Sequence, residues 1–233
     1  MSKRVKWIAA GVVTLVVLVT AGPFVYIHFI EGDPKPPLAA CALSSNTATS
    51  SGSSSAAPLT NIDGTWSIAE GTEVGYRIKE TLFGQSTEAV GRTTKVTGQL
   101  TAAATTISAA SFSVDLTTVS SDQSQRDGQF QGRIMDTSKF PTATFTLTSP
   151  IDIGSIPTDQ QKISVKATGD LTLHGVTKSV TFDLIACPTG QNIDAAGSTN
   201  LVFADYGIPN PSAGPAQTAD NGLLEVLLVF AKS

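Results

Sequence analysis

From Trp66 to the C-terminus, hydrophobic and polar positions alternate in short runs: Trp66 and Ile68; Val74, Tyr76 and Ile78; Ala110, Phe112, Val114 and Leu116; Phe145 and Leu147; Ile163, Val165 and Ala167. The alternation continues through Leu171 and Leu173, then Val180, Phe182 and Leu184, then Leu201 and Phe203, and last Leu224, Val226, Leu228 and Phe230. A period of two puts one parity of each run on one face of a strand, and the Thr and Ser that dominate the other parity suit a face in water. Roughly eight antiparallel strands are predicted, with no long stretch of helical periodicity, so the class is all-β, a sandwich or a barrel.

The sharpest local signal is Gly169 to Leu184, two alternating runs about His174-Gly175. Glycine takes positive φ freely and histidine tolerates it better than most residues, so a tight hairpin turn is expected there, and the turn sets the register of both strands. This makes His174 a turn residue first; its other reading is a hydrogen bond to the polar head of a ligand. One segment departs from the period of two. Ser120 and Gln123 have the spacing of a capping box, and Phe130 and Ile134 stand four apart on one helical face. A short helix is predicted, weakened by Gly128 and Gly132 and ended by Phe140-Pro141, and it is expected to lid one end of the sheet structure. Arg126 and Asp127, adjacent on that helix, do not face each other and so do not form an intrahelical pair.

Residues 8–30 contain no Asp, Glu, Lys or Arg. As a helix they would cover roughly 34 Å, enough for the ~30 Å hydrocarbon core of a bilayer. Lys3, Arg4 and Lys6 precede this run and Glu31 and Asp33 follow it, which places the N-terminus in the cytoplasm and the rest of the chain outside. Trp7 and Tyr26 suit the two interfaces. The expected organisation is a cytoplasmic N-terminus over 1–7, a single transmembrane helix over 8–30, a flexible extracytoplasmic linker over 31–61 and a β domain over 62–233. The Ser/Thr/Ala/Gly composition from Ser44 to about Thr60 supports the linker. Two alternatives are cleavage as a secretory signal and lipidation at Leu38-Ala39-Ala40-Cys41, whose letters match a lipobox but which lies beyond Glu31, Asp33, Lys35 and three prolines from the apolar run.

Composition narrows the function classes. The net charge of −4 and the lack of a basic stripe past the first residues argue against nucleic acid. With two cysteines and two histidines in the chain, metal and thiol chemistry are short of ligands, and no metal or other cofactor is expected. No nucleophile elbow, P-loop or zincin motif occurs, and outside the apolar run His174 is the sole imidazole, so no enzyme is predicted. Cys41 and Cys187 both fall outside the membrane, where a disulfide persists. Pairing within the chain, pairing between molecules and two free thiols all stay open.

Three strings, in this order, resemble the YceI-like family: Gln125-Arg126-Asp127, Lys139-Phe140-Pro141-Thr142-Ala143-Thr144-Phe145, and Gly169-Asp170-Leu171-Thr172-Leu173-His174-Gly175-Val176-Thr177-Lys178. Within the last, Leu-Thr-x-His-Gly-x-Thr-Lys is the most specific part. The strings Trp66-Ser67-Ile68 and Val74-Gly75-Tyr76-Arg77-Ile78 fit the family's first strands, and the likeness runs from about Thr65 to Lys232. It implies a lipocalin-like, eight-stranded antiparallel β-barrel with one short helix, holding a long isoprenoid lipid of polyprenyl or quinone type in an elongated interior. The inward parity then nominates Tyr76, Ile78, Phe112, Val114, Phe145, Leu147, Leu171, Leu173, Phe182 and Leu184 as the ligand lining, with Arg126, Arg133 and His174 as contacts for a polar head. The chain departs from the family where Asp127 is followed by Gly128, Gln129 and Phe130 rather than a His-Leu pair, and in its loop between Asp205 and Asn221. Both places bear on the head group more than on the tail. The expectation is a membrane-anchored, extracytoplasmic lipid-binding protein. The rival is a cell-envelope interaction module whose barrel core is solid.

Overall fold

The computed structural model describes residues 34–41, 59–214 and 216–233, and in it the alternating runs become strands of one antiparallel sheet. These are β1 (Gly64–Ile68), β2 (Glu73–Leu82), β3 (Gln85–Thr93), β4 (Val96–Ala103), β5 (Thr106–Asp115), β6 (Thr142–Leu147), β7 (Ile151–Asp152), β8 (Ile163–Leu173), β9 (Val176–Thr189), β10 (Asn192–Val202), β11 (Ala216–Thr218) and β12 (Asn221–Lys232). β1 and β2 follow each other along one edge of β12, Trp66 opposite Lys232 and Arg77 opposite Leu223. β3 and β4 follow each other in the same way beside β2 and β1. With each of these pairs taken as one bent strand, β5, β6, β8, β9, β10 and β12 complete a closed, eight-stranded antiparallel barrel. At the bend between β1 and β2 the Thr72 hydroxyl stands in for the ladder: it accepts from Val229 N at 2.9 Å and donates to Val229 O at 3.3 Å.

The His174-Gly175 turn forms as expected, with φ of 51° and 77° at its two centre residues, the mirror-image geometry that suits the twist of a hairpin. A Cβ on Gly175 would stand 2.6 Å from Phe140 Cε1, so glycine is required there by contact as well as by φ.

Helix α1 (Ser124–Gln129) runs into a π-helical turn over Phe130–Ile134, where Met135 N donates to Phe130 O at 2.9 Å. It starts at Ser124 with Gln123 as its N-cap, three residues later than the capping box predicts, and no side chain caps it. Ser121, not Ser120, accepts from Gln123 N, and Asp127 accepts from both the backbone and the hydroxyl of Ser121 at 2.8 and 2.7 Å. The polar residues ahead of Gln123 offered two equivalent serines, and the carboxylate of Asp127 selects the one it reaches.

One end of the barrel is closed by Ile62, Leu100, Phe230 and the fully buried Trp66, whose indole N–H donates to Ile62 O at 2.8 Å. The other end, the mouth, carries α1, the tip of the β2–β3 hairpin and the segment 203–218. A second apolar cluster, including Leu116, Leu173, Leu201, Phe203 and Tyr206, packs there.

Residues 34–41, expected as part of a flexible linker, lie along the outer wall instead. Cys41 forms a disulfide with Cys187 on β9, their Cα atoms 6.5 Å apart across 146 positions of sequence. Ala40, Cys41, Cys187 and Ala196 are buried together against Leu227. A sulfur in a disulfide cannot also carry a thioether-linked lipid, so this disulfide and lipidation at Cys41 exclude each other. Beneath the same stretch, Glu225 accepts from Arg77 Nε at 2.7 Å and from Arg92 Nη2 at 3.2 Å, while Glu88 and Glu73 hold the far sides of the two guanidiniums. Arg77 also donates to Lys35 O at 2.7 Å and Arg92 to Pro36 O. Burial opposes the charge on Arg77, but the bonds from Glu225 and Glu88 outweigh it, so its pKa lies above the ordinary arginine value. Among the described residues no helix is long and apolar enough to cross a membrane; the run 8–30 lies outside them.

Candidate binding cavity

Alternation decides which side chains face inward, but not whether they meet. Here they do not meet fully: the barrel encloses a cavity of about 530 Å³. Its walls are Tyr76 and Ile78 from β2, Phe112 and Val114 from β5, Phe145 from β6, Leu171 and Leu173 from β8, and Phe182 and Leu184 from β9. Leu201, Phe203, Ile208, Leu224, Val226 and Leu228 also line it. A second, wholly apolar chamber of about 100 Å³ lies toward the closed end, and Leu147 lines this one rather than the first. Phe112, Phe145, Ala167, Leu184 and Leu228 border both chambers. Phe112 and Phe145 are register partners on β5 and β6; their rings pack on Phe230 at 5.7 Å and edge-on to Phe182 at 5.6 Å, forming the partition.

Five polar side chains gather at the mouth: Glu80 at the far end of β2, and Gln123, Gln125, Arg126 and Gln129 on or beside α1. Arg126 donates to Asp122 one turn back and to the buried Glu80 at 3.3 Å. Tyr76 lies flat against Phe130, ring centres 5.2 Å apart and planes at 16°. Its ring lies over Gly91 on β3, where a Cβ would overlap it. Burial raises the Tyr76 pKa strongly, Arg126 counters it, and Asp127, Glu80 and Asp122 push it higher, so the phenol is neutral across the physiological range.

Two of the three nominated head contacts stand away from the cavity. Arg133 donates to Asn210 O at 3.2 Å and Pro211 O at 2.9 Å, tying the helical segment to the neighbouring loop. His174 Nδ1 meets Tyr206 O at 3.1 Å, and its ring packs on Phe140 at 4.7 Å. Neither borders the cavity; Arg126 does. Glu80 was missed in the sequence, although it shares the parity of Tyr76 and Ile78, and a carboxylate on the apolar parity of a strand is the signal that finds it. Among the described residues no group of His, Cys, Asp and Glu is placed to hold a metal ion.

The profile of the YceI-like domain matches residues 66–230, more than half of the chain. The chain belongs to the YceI-like family. Similar proteins include a UPF0312 protein of Vibrio vulnificus, 37% identical over 102 residues (41% of this chain and 50% of that one). A UPF0312 protein of Pseudomonas putida is 37% identical over 117 residues, 46% of this chain and 56% of that one. The chain thus spans about half the length of these relatives. Among solved structures, a polyisoprenoid binding domain from Saccharophagus degradans implicated in plant cell wall breakdown superposes with a TM-score of 0.56 at 16% identity, over 74% of this chain and all of that one. BcnA of Burkholderia cenocepacia does so with a TM-score of 0.51 at 19% identity, over 67% of this chain and 95% of that one. At these identities the likeness is one of fold.

Proposed function

We propose that this YceI-like barrel binds the tail of an isoprenoid lipid, polyprenyl or quinone in type, in its cavity, with the polar head at the Glu80–Arg126 end. The protein is anchored by residues 8–30 and carries the barrel outside the cytoplasm, where it transports, stores or sequesters that lipid. One observation supports this above the rest: the large apolar interior with its polar groups gathered at one end. Water inside a cavity of about 530 Å³ with such apolar walls finds few hydrogen-bond partners there. An isoprenoid tail gains about 0.8 kcal/mol per buried CH₂ relative to water and asks for no polar partner along its length. The Saccharophagus degradans domain, polyisoprenoid binding by name, supports the choice of ligand class. A solid-core interaction module has no use for such a cavity.

The test is uptake of an isoprenoid probe by the purified full chain and by Ala167→Phe, which places a ring where the two chambers meet. The variant is expected to keep its cooperative unfolding and lose uptake by a large factor. Uptake equal to that of the wild type would overturn the proposal.

A further inference from the structure

The direction in which residues 34–41 climb the barrel bears on how the cavity faces the membrane. Lys35 is held by Arg77, which lies at the level of Leu223 on β12. Pro36 is held by Arg92, opposite Gly75 and so at the level of Glu225. Cys41 is bonded to Cys187, which pairs through Asp194 to the level of Val229. β12 runs from the mouth toward the closed end, so this strap ascends from the mouth-ward part of the wall to the closed part. Pro34, where the strap begins, therefore stands on the mouth-ward part of the wall. Only residues 31–33 separate Pro34 from the apolar run 8–30, a reach of about 10 Å when extended. The Ser/Ala/Thr-rich stretch follows Cys41 and re-enters at Leu59, beside the closed-end chamber, so it is not what joins the barrel to the membrane.

A second observation falls at the same end. Of the four large hydrophobic side chains exposed among the described residues, three are at the mouth: Phe83 at the tip of the β2–β3 hairpin (52% exposed), Val202 at the end of β10 (41%) and Leu223 at the start of β12 (37%). Single exposed apolar residues are ordinary; here three of the four share one end of the barrel.

From these two observations we infer that the mouth rim is a lipid-docking surface. The strap at 34–41 holds the cavity opening against the bilayer, with the apolar rim seated at the boundary of headgroups and acyl chains. A tail then passes between bilayer and barrel without crossing water. This rests on the anchored, lipid-binding reading above. It gives the barrel a fixed, mouth-down orientation where a flexible linker over 31–61 was expected.

The experiment uses the full chain in phospholipid vesicles, with a photoreactive phenylalanine analogue at Val202 on the rim or at Ala103 at the closed end. Lipid adducts are counted by mass after illumination, and retention is checked by alkaline wash. Several-fold more adduct at Val202 than at Ala103 is expected. A long Gly/Ser spacer inserted between Asp33 and Pro34 should lower the Val202 yield several-fold while the protein stays in the membrane. Equal yields at both positions with the protein retained overturn the orientation and leave the anchor intact. An unchanged Val202 yield with the spacer overturns the strap's part in it. A protein that washes off overturns the anchor reading, and the orientation with it.

Discussion

Tyr76 is held between the ring of Phe130 and the bare backbone of Gly91, and its raised pKa has a consequence for stability. The unfolded chain ionises this phenol near pH 10, whereas the folded chain keeps its proton well above that value, first because of burial. Between the two pKa values the native state binds more protons than the unfolded state, so stability falls as pH rises from about 10 upward and is fully present below it. Tyr206, also raised by burial, acts in the same direction. Denaturant midpoints at pH 9 and 11 should show a drop for the wild type and a smaller drop for Tyr76→Phe; equal drops would remove Tyr76 from the explanation. At this scale the cavity wall was largely legible, because a strand's parity states which way each residue points. The fate of the polar candidates was not. Arg133 lies in the π turn and spends its guanidinium on the carbonyls of Asn210 and Pro211 rather than on the cavity, and spacing read as α-helical gives no warning of that.

Among the elements, the bent strand made of β3 and β4 left no mark in the hydrophobic pattern. Its inward positions include Ala89 and Gly91, and then Val96, Gly98, Leu100 and Ala102, too small and too interrupted to register as an alternating run. Small residues are what the site asks of it, since Tyr76 covers Gly91 and Phe112 crowds Gly98. β10 was legible only at Leu201, for the same reason. Phe203, grouped with that strand by parity, belongs to the 3₁₀ turn that follows it. The strap was hidden differently: its attachments are a disulfide and two arginines with carbonyl partners, and neither shows a periodicity. The central member of its ionic cluster is Glu225, with 5% of its side chain exposed. Glu225→Ala leaves Arg77 and Arg92 buried with one carboxylate partner each and is expected to cost about 3–5 kcal/mol in urea or guanidinium unfolding. A loss under 1 kcal/mol would mean that Glu88 and Glu73 suffice.

At the scale of the molecule, the barrel has one sealed end, built on Trp66 and Phe230, and one end where apolar walls give way to Glu80, Arg126 and three glutamines. The sequence predicts the closed eight-stranded form through family likeness, since alternation alone left sandwich and barrel equal. The open interior, too, is implied by that likeness alone, because cavity volume depends on how far facing side chains reach across the barrel, which alternation does not state. What fills that space decides what the protein does. Purification of the full chain from native membranes in mild detergent, organic extraction and mass spectrometry of the extract read this directly. A series of masses spaced by isoprene units, present with the wild type and absent with Ala167→Phe, is the predicted result. Repeated preparations of folded wild-type protein that carry no isoprenoid lipid would contradict it.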